Sequence, residues 1–268
     1  MLRARLATAA VAIPLLLALI FLAPIWLFAA VVGTIALLAV TEYATLAFSQ
    51  RRGEAALTVV LGAIAVLGAT TNPAGPGHQF AAGLACAICG GLAWTLLARP
   101  DFEQGLADLG IVLVGVLYAA LLLPHFVWVR TANPEGPRWV LFVLAIAMIG
   151  DTSGYFVGRA LGRHKLMPRV SPGKSVEGAI GIMAGSLVAG AAVKALLLPA
   201  TSLAHALALA GIMGALGQLG DLSESVIKRT FGAKESGWLF PGHGGVLDRL
   251  DSLVFPVTFL YYYLIVAG

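Results

Sequence analysis

The chain has 268 residues, of which 59% are hydrophobic and only 11% are charged, and its formal net charge is +4. A soluble globular domain carries about 25% charged residues, so this composition excludes an ordinary soluble fold. It indicates a protein that lies largely within a membrane.

Nine apolar segments, each roughly 20 residues long, are sufficient to cross a hydrocarbon layer of about 30 Å. The first follows Arg3 and Arg5 and has the charge pattern of a signal peptide. No polar segment separates it from the next span, so we interpret it as a retained helix. The predicted fold is an all-α, polytopic transmembrane helical bundle with spans near 5–22, 26–48, 55–71, 79–98, 105–123, 138–157, 178–199, 202–220 and 249–267.

The distribution of positive charge predicts the orientation. With a cytoplasmic N-terminus, all but three of the 17 Lys and Arg residues fall on the inner side, and the exceptions are Arg130, Arg138 and Lys194. This positive-inside bias predicts a cytoplasmic N-terminus and an outward C-terminus. An anionic lipid headgroup or a nucleotide explains the basic inner surface better than a nucleic acid does, so we expect no nucleic-acid partner.

Polar residues divide the chain into two predicted regions. Residues 1–137, with about five spans, read as a transmembrane scaffold in which Cys86 and Cys89 are interpreted as helix-packing residues. Residues 138–268 read as a catalytic transmembrane region with two cytoplasmic loops, 159–178 and 221–248. These loops are the predicted working surface.

Glycines recur at helical spacings in two spans of this second region. They lie every four residues from Gly150 to Gly162 and every three from Gly211 to Gly220. Small residues at such spacings predict close helix packing in lipid, although a backbone cleared for a ligand would have the same pattern.

The first inner loop adds one acidic and several basic candidates. Asp151 lies at the membrane edge, which makes it a functional candidate. The sequence PGKS at 172–175 is not a P-loop, because Pro168 occupies the required glycine position. The basic turn offers positive charge to a polyphosphate, and anchoring to the membrane surface is the alternative. Its members are Arg163, Lys165, Arg169, Lys174 and the neighbouring Ser171.

The second inner loop carries most of the chemistry. Asp221, Glu224, Ser225 and Lys228 share one helical face if the eighth span continues past the membrane. Asp248 and Asp251 share a face at the start of the ninth span. Carboxylates converging from two helix ends suit Mg²⁺, which binds through one or two of them together with substrate phosphates.

Each of these residues also has a simpler interpretation. Asp248 could cap the last helix, and Asp251 could interact favourably with the dipole of that helix. Lys228 and Arg229 could be basic residues that anchor the cytoplasmic side of the membrane helices. Capping does not explain why seven of the 13 carboxylates lie on the inner side after residue 150. Metal and phosphate together are therefore the preferred interpretation.

The second loop resembles the signature of the phosphatidate cytidylyltransferase family, also called CDP-diacylglycerol synthase. The matching residues are Ser225, Ile227, Lys228-Arg229, Lys234, His243-Gly244-Gly245, Asp248-Arg249 and Asp251. One position departs, because Glu235 stands where the family has Asp, and we leave Glu235 out of the predicted metal set.

This resemblance implies a magnesium-dependent, commonly dimeric inner-membrane enzyme that converts CTP and phosphatidate into CDP-diacylglycerol and pyrophosphate. It implies that Asp221 and Asp248 hold Mg²⁺ on the CTP phosphates. Asp251 and Glu224 are the lesser candidates, for a second cation or an outer shell. Lys228 and Arg229 are assigned to catalysis with these carboxylates, and the predicted substrate-binding residues are Asp151, Lys165, Ser171, Lys174, Ser225, Lys234, His243 and Arg249.

Two other functions remain as alternatives at this level. A CTP-dependent polyprenol or lipid kinase shares the membrane character and the nucleotide, but releases CDP rather than pyrophosphate. A transporter for an anionic solute predicts ionisable groups near the bilayer midplane, whereas those of this chain cluster at one surface.

Overall fold

The computed structural model describes residues 2–72, 75–237 and 244–267. Its helices are α1 (Leu2–Phe21), α2 (Ile25–Ala47), α3 (Arg52–Thr70), α4 (His78–Ala98), α5 (Phe102–Gly115), α6 (His125–Ala132), α7 (Gly136–Leu161), α8 (Val176–Leu197), α9 (Leu203–Thr230) and α10 (Leu247–Ala267).

All nine predicted segments are helical, which confirms the all-α bundle. Eight stretches of the described chain are long and apolar enough to cross a membrane, with α5 and α6 counted as one stretch. The first helix adds a shorter apolar segment, Ala10–Phe21. The molecule is therefore a multi-pass membrane protein.

The fifth segment is less regular than its hydrophobicity predicts. Between α5 and α6 the chain forms a π-helical turn, Val116–Leu121, and Pro124 stands directly before α6. Proline has no N–H to donate and cannot continue the preceding helix, which accounts for the break. The π-helical turn carries Tyr118, which is only 8% exposed and packs edge-on against Phe255 of α10.

The helices of the second region pack mainly on one another. α7 lies against α8, α8 against α9, and α9 against α10, while α2, α3 and α4 pack together in the first region. Helix α10 also contacts α6, α7 and α2, so it joins the two regions. One hydrophobic core runs through both.

A small antiparallel hairpin stands where we predicted a basic turn. Strand β1 (Lys165–Met167) pairs with β2 (Ser171–Ser175). Glu177 accepts hydrogen bonds from the backbone N–H groups of Arg163, at 3.1 Å, and His164, at 3.3 Å. The hydroxyl of Ser175 accepts from Gly178 N and caps α8. The hairpin is thereby tied to the start of α8, and it places Lys174 beside α9.

The repeated glycines are at helix contacts, as their spacing predicts. Gly154 of α7 lies against α8, where an added Cβ would be 3.1 Å from the carbonyl oxygen of Gly178. Gly217 of α9 lies against α10, where a Cβ would be 3.0 Å from Ser252 O. These contacts hold the ends of α7, α8, α9 and α10 close together.

Gly220 and Gly211 belong to the same series on α9, but their surroundings differ. A Cβ at Gly220 would overlap the backbone carbonyl oxygen of Asp251, whereas a Cβ at Gly211 would meet only Leu187 Cδ2, at 3.8 Å. We expect Gly220→Ala to lower the free energy of unfolding by about 1–3 kcal/mol, because the α9 and α10 backbones must separate. Gly211→Ala is the matched control and should change it little. Thermal unfolding in detergent measures both, and equal stabilities would contradict this account.

Candidate functional site

A cavity of about 430 Å³ opens between α7, α8, α9 and the hairpin. The polar side chains in its wall are Asp151, Tyr155 and Arg159 of α7, Lys174 and Ser175 of β2, and Gln218 and Asp221 of α9. Gly154, Gly158 and Gly178 also line the cavity. Because they have no side chains, they allow α7 and α8 to pack closely and also leave their backbone accessible to a ligand. Both interpretations of the α7 glycines are therefore compatible with the structure.

Lys174 and Asp221 meet in this cavity although they come from the two separate inner loops. Lys174 Nζ lies 2.5 Å from Asp221 Oδ2, and both side chains remain partly accessible. An accessible ammonium group beside an accessible carboxylate can bind a phosphate and a cation at adjacent positions.

Lys228 forms the centre of a second, more buried cluster. Its ammonium group is ion-paired with Glu224, one turn earlier on α9, and lies 2.5 Å from Asp248 Oδ1 on α10. The side chain of Glu224 is only 2% exposed and that of Lys228 is 12% exposed. This geometry confirms that α9 continues helically through residue 228 and presents these groups on one face.

Asp248 is surrounded by protein donors. Its Oδ2 accepts hydrogen bonds from Ser236 N at 2.9 Å, Ser236 Oγ at 2.9 Å and Gly245 N at 2.8 Å. The bond from Gly245, just before α10, resembles the capping role that we weighed, but the ion pair with Lys228 joins Asp248 to α9 as well. Asp248 therefore organises the chain before α10 and links it to α9.

Asp251 and Asp151 complete a group of carboxylates. Asp251 is within electrostatic range of Asp221, Glu224 and Asp151. Asp151 Oδ2 accepts a hydrogen bond from Ser252 Oγ at 3.0 Å, which joins α7 to α10. The group therefore spans three helices at one end of the bundle.

The charge balance of this group favours a cation. Among the described residues, the five carboxylates of this group form ion pairs with only two side chains, those of Lys174 and Lys228. Glu224 Oε1 is buried and has no hydrogen-bond partner in the described part of the chain. Among the described residues, no group of three or more His, Cys, Asp or Glu side chains is arranged to hold a metal ion by itself. Mg²⁺ commonly takes one or two carboxylates and completes its shell with phosphates and water, so the residues present fit that ion.

The structure separates the predicted site residues into groups. Asp151, Lys174 and Asp221 line the cavity, while Glu224, Lys228 and Asp248 form the buried cluster. Asp221 and Asp248, which we expected to share one ion, are each paired with a different lysine.

The remaining predicted residues lie outside both groups. Arg229 is exposed and donates to the backbone carbonyls of Val170, at 3.3 Å, and Ala233, at 3.0 Å, so it braces the hairpin. His243 lies outside the described residues. Others are placed at the surface or in packing contacts, with Lys165, Lys234 and Arg249 exposed, Ser171 half-buried and Ser225 buried.

Sequence reasoning missed four polar residues of the cavity wall, which are Tyr155, Arg159, Ser175 and Gln218. The signal was present for two of them, because Asp151, Tyr155 and Arg159 recur every four residues on α7 and share a face. Arg159 also donates a hydrogen bond to the Tyr155 hydroxyl at 3.0 Å. Arg159 therefore adds a second cation to the cavity wall.

The comparisons with known proteins agree with the sequence resemblance. A model described as the cytidylyltransferase family matches residues 3–267. The chain is 33% identical over 173 residues to the phosphatidate cytidylyltransferase of Bacillus subtilis, which covers 65% of this chain and 64% of that protein. It is 36% identical over 169 residues to the protein of the same name from Staphylococcus saprophyticus, and this alignment covers 63% of each chain. It is 44% identical over 147 residues to the one from Brucella abortus, and this alignment covers 55% of this chain and 54% of that protein. Each alignment spans less than two thirds of the relative.

Proposed function

The chain belongs to the cytidylyltransferase family, and we propose that it transfers the cytidylyl group of CTP to phosphatidate, forming CDP-diacylglycerol and pyrophosphate. The observation that supports this most directly is the ion pair between Lys174 and Asp221 in the wall of a cavity of about 430 Å³. The two residues come from the two inner loops, and the resemblance assigns both of them to the same reaction.

The reaction requires positive charge more than it requires a base. A phosphate oxygen of phosphatidate attacks the α-phosphorus of CTP, and the bond from that phosphorus to the bridging oxygen breaks as pyrophosphate leaves. A phosphate monoester is already largely ionised near neutral pH, so the main obstacle is repulsion between anions. Lys174 and Arg159 would bind and orient phosphate groups in the cavity.

Asp221 is the leading candidate to hold Mg²⁺, since it lies in the cavity wall and within electrostatic range of Asp251. Asp248 and Glu224 would join it as ligands only by giving up Lys228, which pairs with both of them. When bound, Mg²⁺ would neutralise charge on the CTP phosphates. Lys228 would hold Asp248 and Glu224 in place at the edge of the site.

The decisive experiment uses purified protein, phosphatidate in mixed micelles and CTP labelled at either the α- or the γ-phosphorus. We expect the α-label to enter the lipid fraction and the γ-label to appear in pyrophosphate, because the α-phosphorus is the centre attacked. Removal of Mg²⁺ with EDTA should abolish both signals, and added Mg²⁺ should restore them.

The other functions predict different results in the same experiment. Entry of the γ-label into lipid with release of CDP would identify a CTP-dependent lipid kinase and overturn the proposal. Incorporation that persists in EDTA would overturn the metal assignment alone. An anionic-solute transporter would give no labelled lipid.

We also propose that the protein acts in the inner (plasma) membrane as a homodimer with its active site on the cytoplasmic side. The excess of Lys and Arg in the loops that carry the site supports this orientation. The dimer is an implication of the family resemblance, and the mass of the protein in detergent or nanodiscs tests it.

A further inference from the structure

A glutamate of the first region reaches the chain that precedes α10. Glu42 lies in the second-last turn of α2, in the part of the molecule that the sequence predicts to be a transmembrane scaffold. Its Oε2 accepts hydrogen bonds from Ser236 Oγ at 3.2 Å and from Leu247 N at 3.1 Å. Glu42 thus contacts both the chain that follows α9 and the first residue of α10.

The backbone around Glu42 is shaped to admit its carboxylate. A Cβ added to Gly237 would lie 2.7 Å from Glu42 Oε1, and a Cβ added to Gly245 would overlap Glu42 Oε2. A side chain at either position would push the Glu42 carboxylate away from its present contacts. The contact is therefore a property of the backbone path as well as of the side chains.

One of the two residues that donate to Glu42, Ser236, also donates to Asp248. Ser236 Oγ lies 3.2 Å from Glu42 Oε2 and 2.9 Å from Asp248 Oδ2, and Gly245 N donates to Asp248 Oδ2. One hydroxyl proton serves only one carboxylate at a time, so Ser236 couples the two. A shift at Glu42 would be passed on to Asp248 through Ser236, Gly245 and Leu247.

We propose that Glu42 is a positioning residue, which from α2 holds Ser236 and Leu247 in place and thereby sets the position of the Asp248 carboxylate. The consequence for catalysis rests on the proposed function, in which Asp248 belongs to the site. The consequence for local structure does not depend on the proposed function. Helix α2 is in this way part of the functional unit rather than only a membrane scaffold.

The test compares Glu42→Gln with Glu42→Leu, two side chains of similar size that differ in their ability to accept a hydrogen bond. In Glu42→Leu we expect faster amide hydrogen exchange, measured by mass spectrometry in detergent, in peptides covering Ser236 and Leu247. We expect its kcat to fall roughly tenfold to a hundredfold, because small displacements of catalytic groups have effects of this size. Glu42→Gln keeps an acceptor oxygen and should recover most of the exchange protection and of kcat.

Glu54→Gln is the matched control. Glu54 is a buried carboxylate of the same region and is ion-paired with Arg99 at 3.0 Å. Among the described residues, its side chain makes no hydrogen bond or ion pair with Ser236 or with residues 244–247. We expect wild-type exchange around Ser236 and Leu247 and a normal kcat in this variant. The comparison separates a local effect of Glu42 from the general cost of losing a buried charge.

Two results would overturn the proposal. One is wild-type exchange and turnover in Glu42→Leu, and the other is an exchange increase spread evenly over the chain, which would make Glu42 a general stabilising residue. Absence of cytidylyl transfer in the wild-type protein would instead contradict the proposed function. The exchange comparison would still decide the role of Glu42 in that case.

Discussion

Replacement of Asp221 by Asn should reduce the proposed formation of CDP-diacylglycerol by at least about a hundredfold while the protein remains folded in the membrane. Asn has nearly the same size but no charge, so it loses the ion pair with Lys174 in the cavity wall and is a poorer ligand for Mg²⁺. The assay with α-labelled CTP at saturating Mg²⁺ measures the loss, and elution of a monodisperse peak in detergent checks folding.

Glu235→Gln provides the control for this prediction. Glu235 is an exposed carboxylate close to the predicted site in sequence, and we left it out of the metal set. Its substitution removes the same charge and should leave turnover near the wild-type value. Near-normal turnover in Asp221→Asn, under the same conditions, would refute the assignment of Asp221 to the metal.

Replacement of Lys228 by Met should lower both stability and activity. The ammonium group lies between Glu224 and Asp248, and its removal leaves two largely buried carboxylates without their counter-ion. Breaking a buried ion pair by removing one partner costs about 3–5 kcal/mol, so a large decrease in the free energy of unfolding is expected. Thermal unfolding in detergent and the α-label assay measure the two effects.

A second substitution tests the physical reason. In the double variant Lys228→Met with Glu224→Gln, one of the two uncompensated charges is gone, so part of the stability should return while activity stays low. Lys234→Met is the control, because Lys234 is exposed in the same loop. If Lys228→Met proves as stable as Lys234→Met, the buried cluster does not stabilise the fold as we describe.

The membrane-spanning architecture could be predicted because transfer of apolar side chains into lipid depends on composition along a single segment. Each of the nine predicted segments is a helix in the structure. Hydrophobicity does not predict the π-helical turn Val116–Leu121 before Pro124, which interrupts the fifth segment. The hairpin at 165–175 was missed for a similar reason, since its short strands carry no alternating pattern.

The chemical character of the candidate site could also be predicted from the sequence. Carboxylates are costly beside lipid, so their concentration after residue 150 indicated a site with cationic partners. The spacing of Asp221, Glu224 and Lys228 placed them on one helix face, and the structure pairs Glu224 with Lys228 accordingly. Properties that depend on one helix and its composition could thus be derived from the chain alone.

Which charges pair across helices was decided only by the tertiary structure. The sequence could not show that Asp221 meets Lys174 while Asp248 meets Lys228, or that Glu42 of α2 contacts Leu247. These contacts depend on how closely helices approach at residues such as Gly220 and on the backbone path at Gly245. Ion pairs and hydrogen bonds require atoms within a few ångströms, and that proximity comes from the packing of distant segments rather than from the order of residues along the chain.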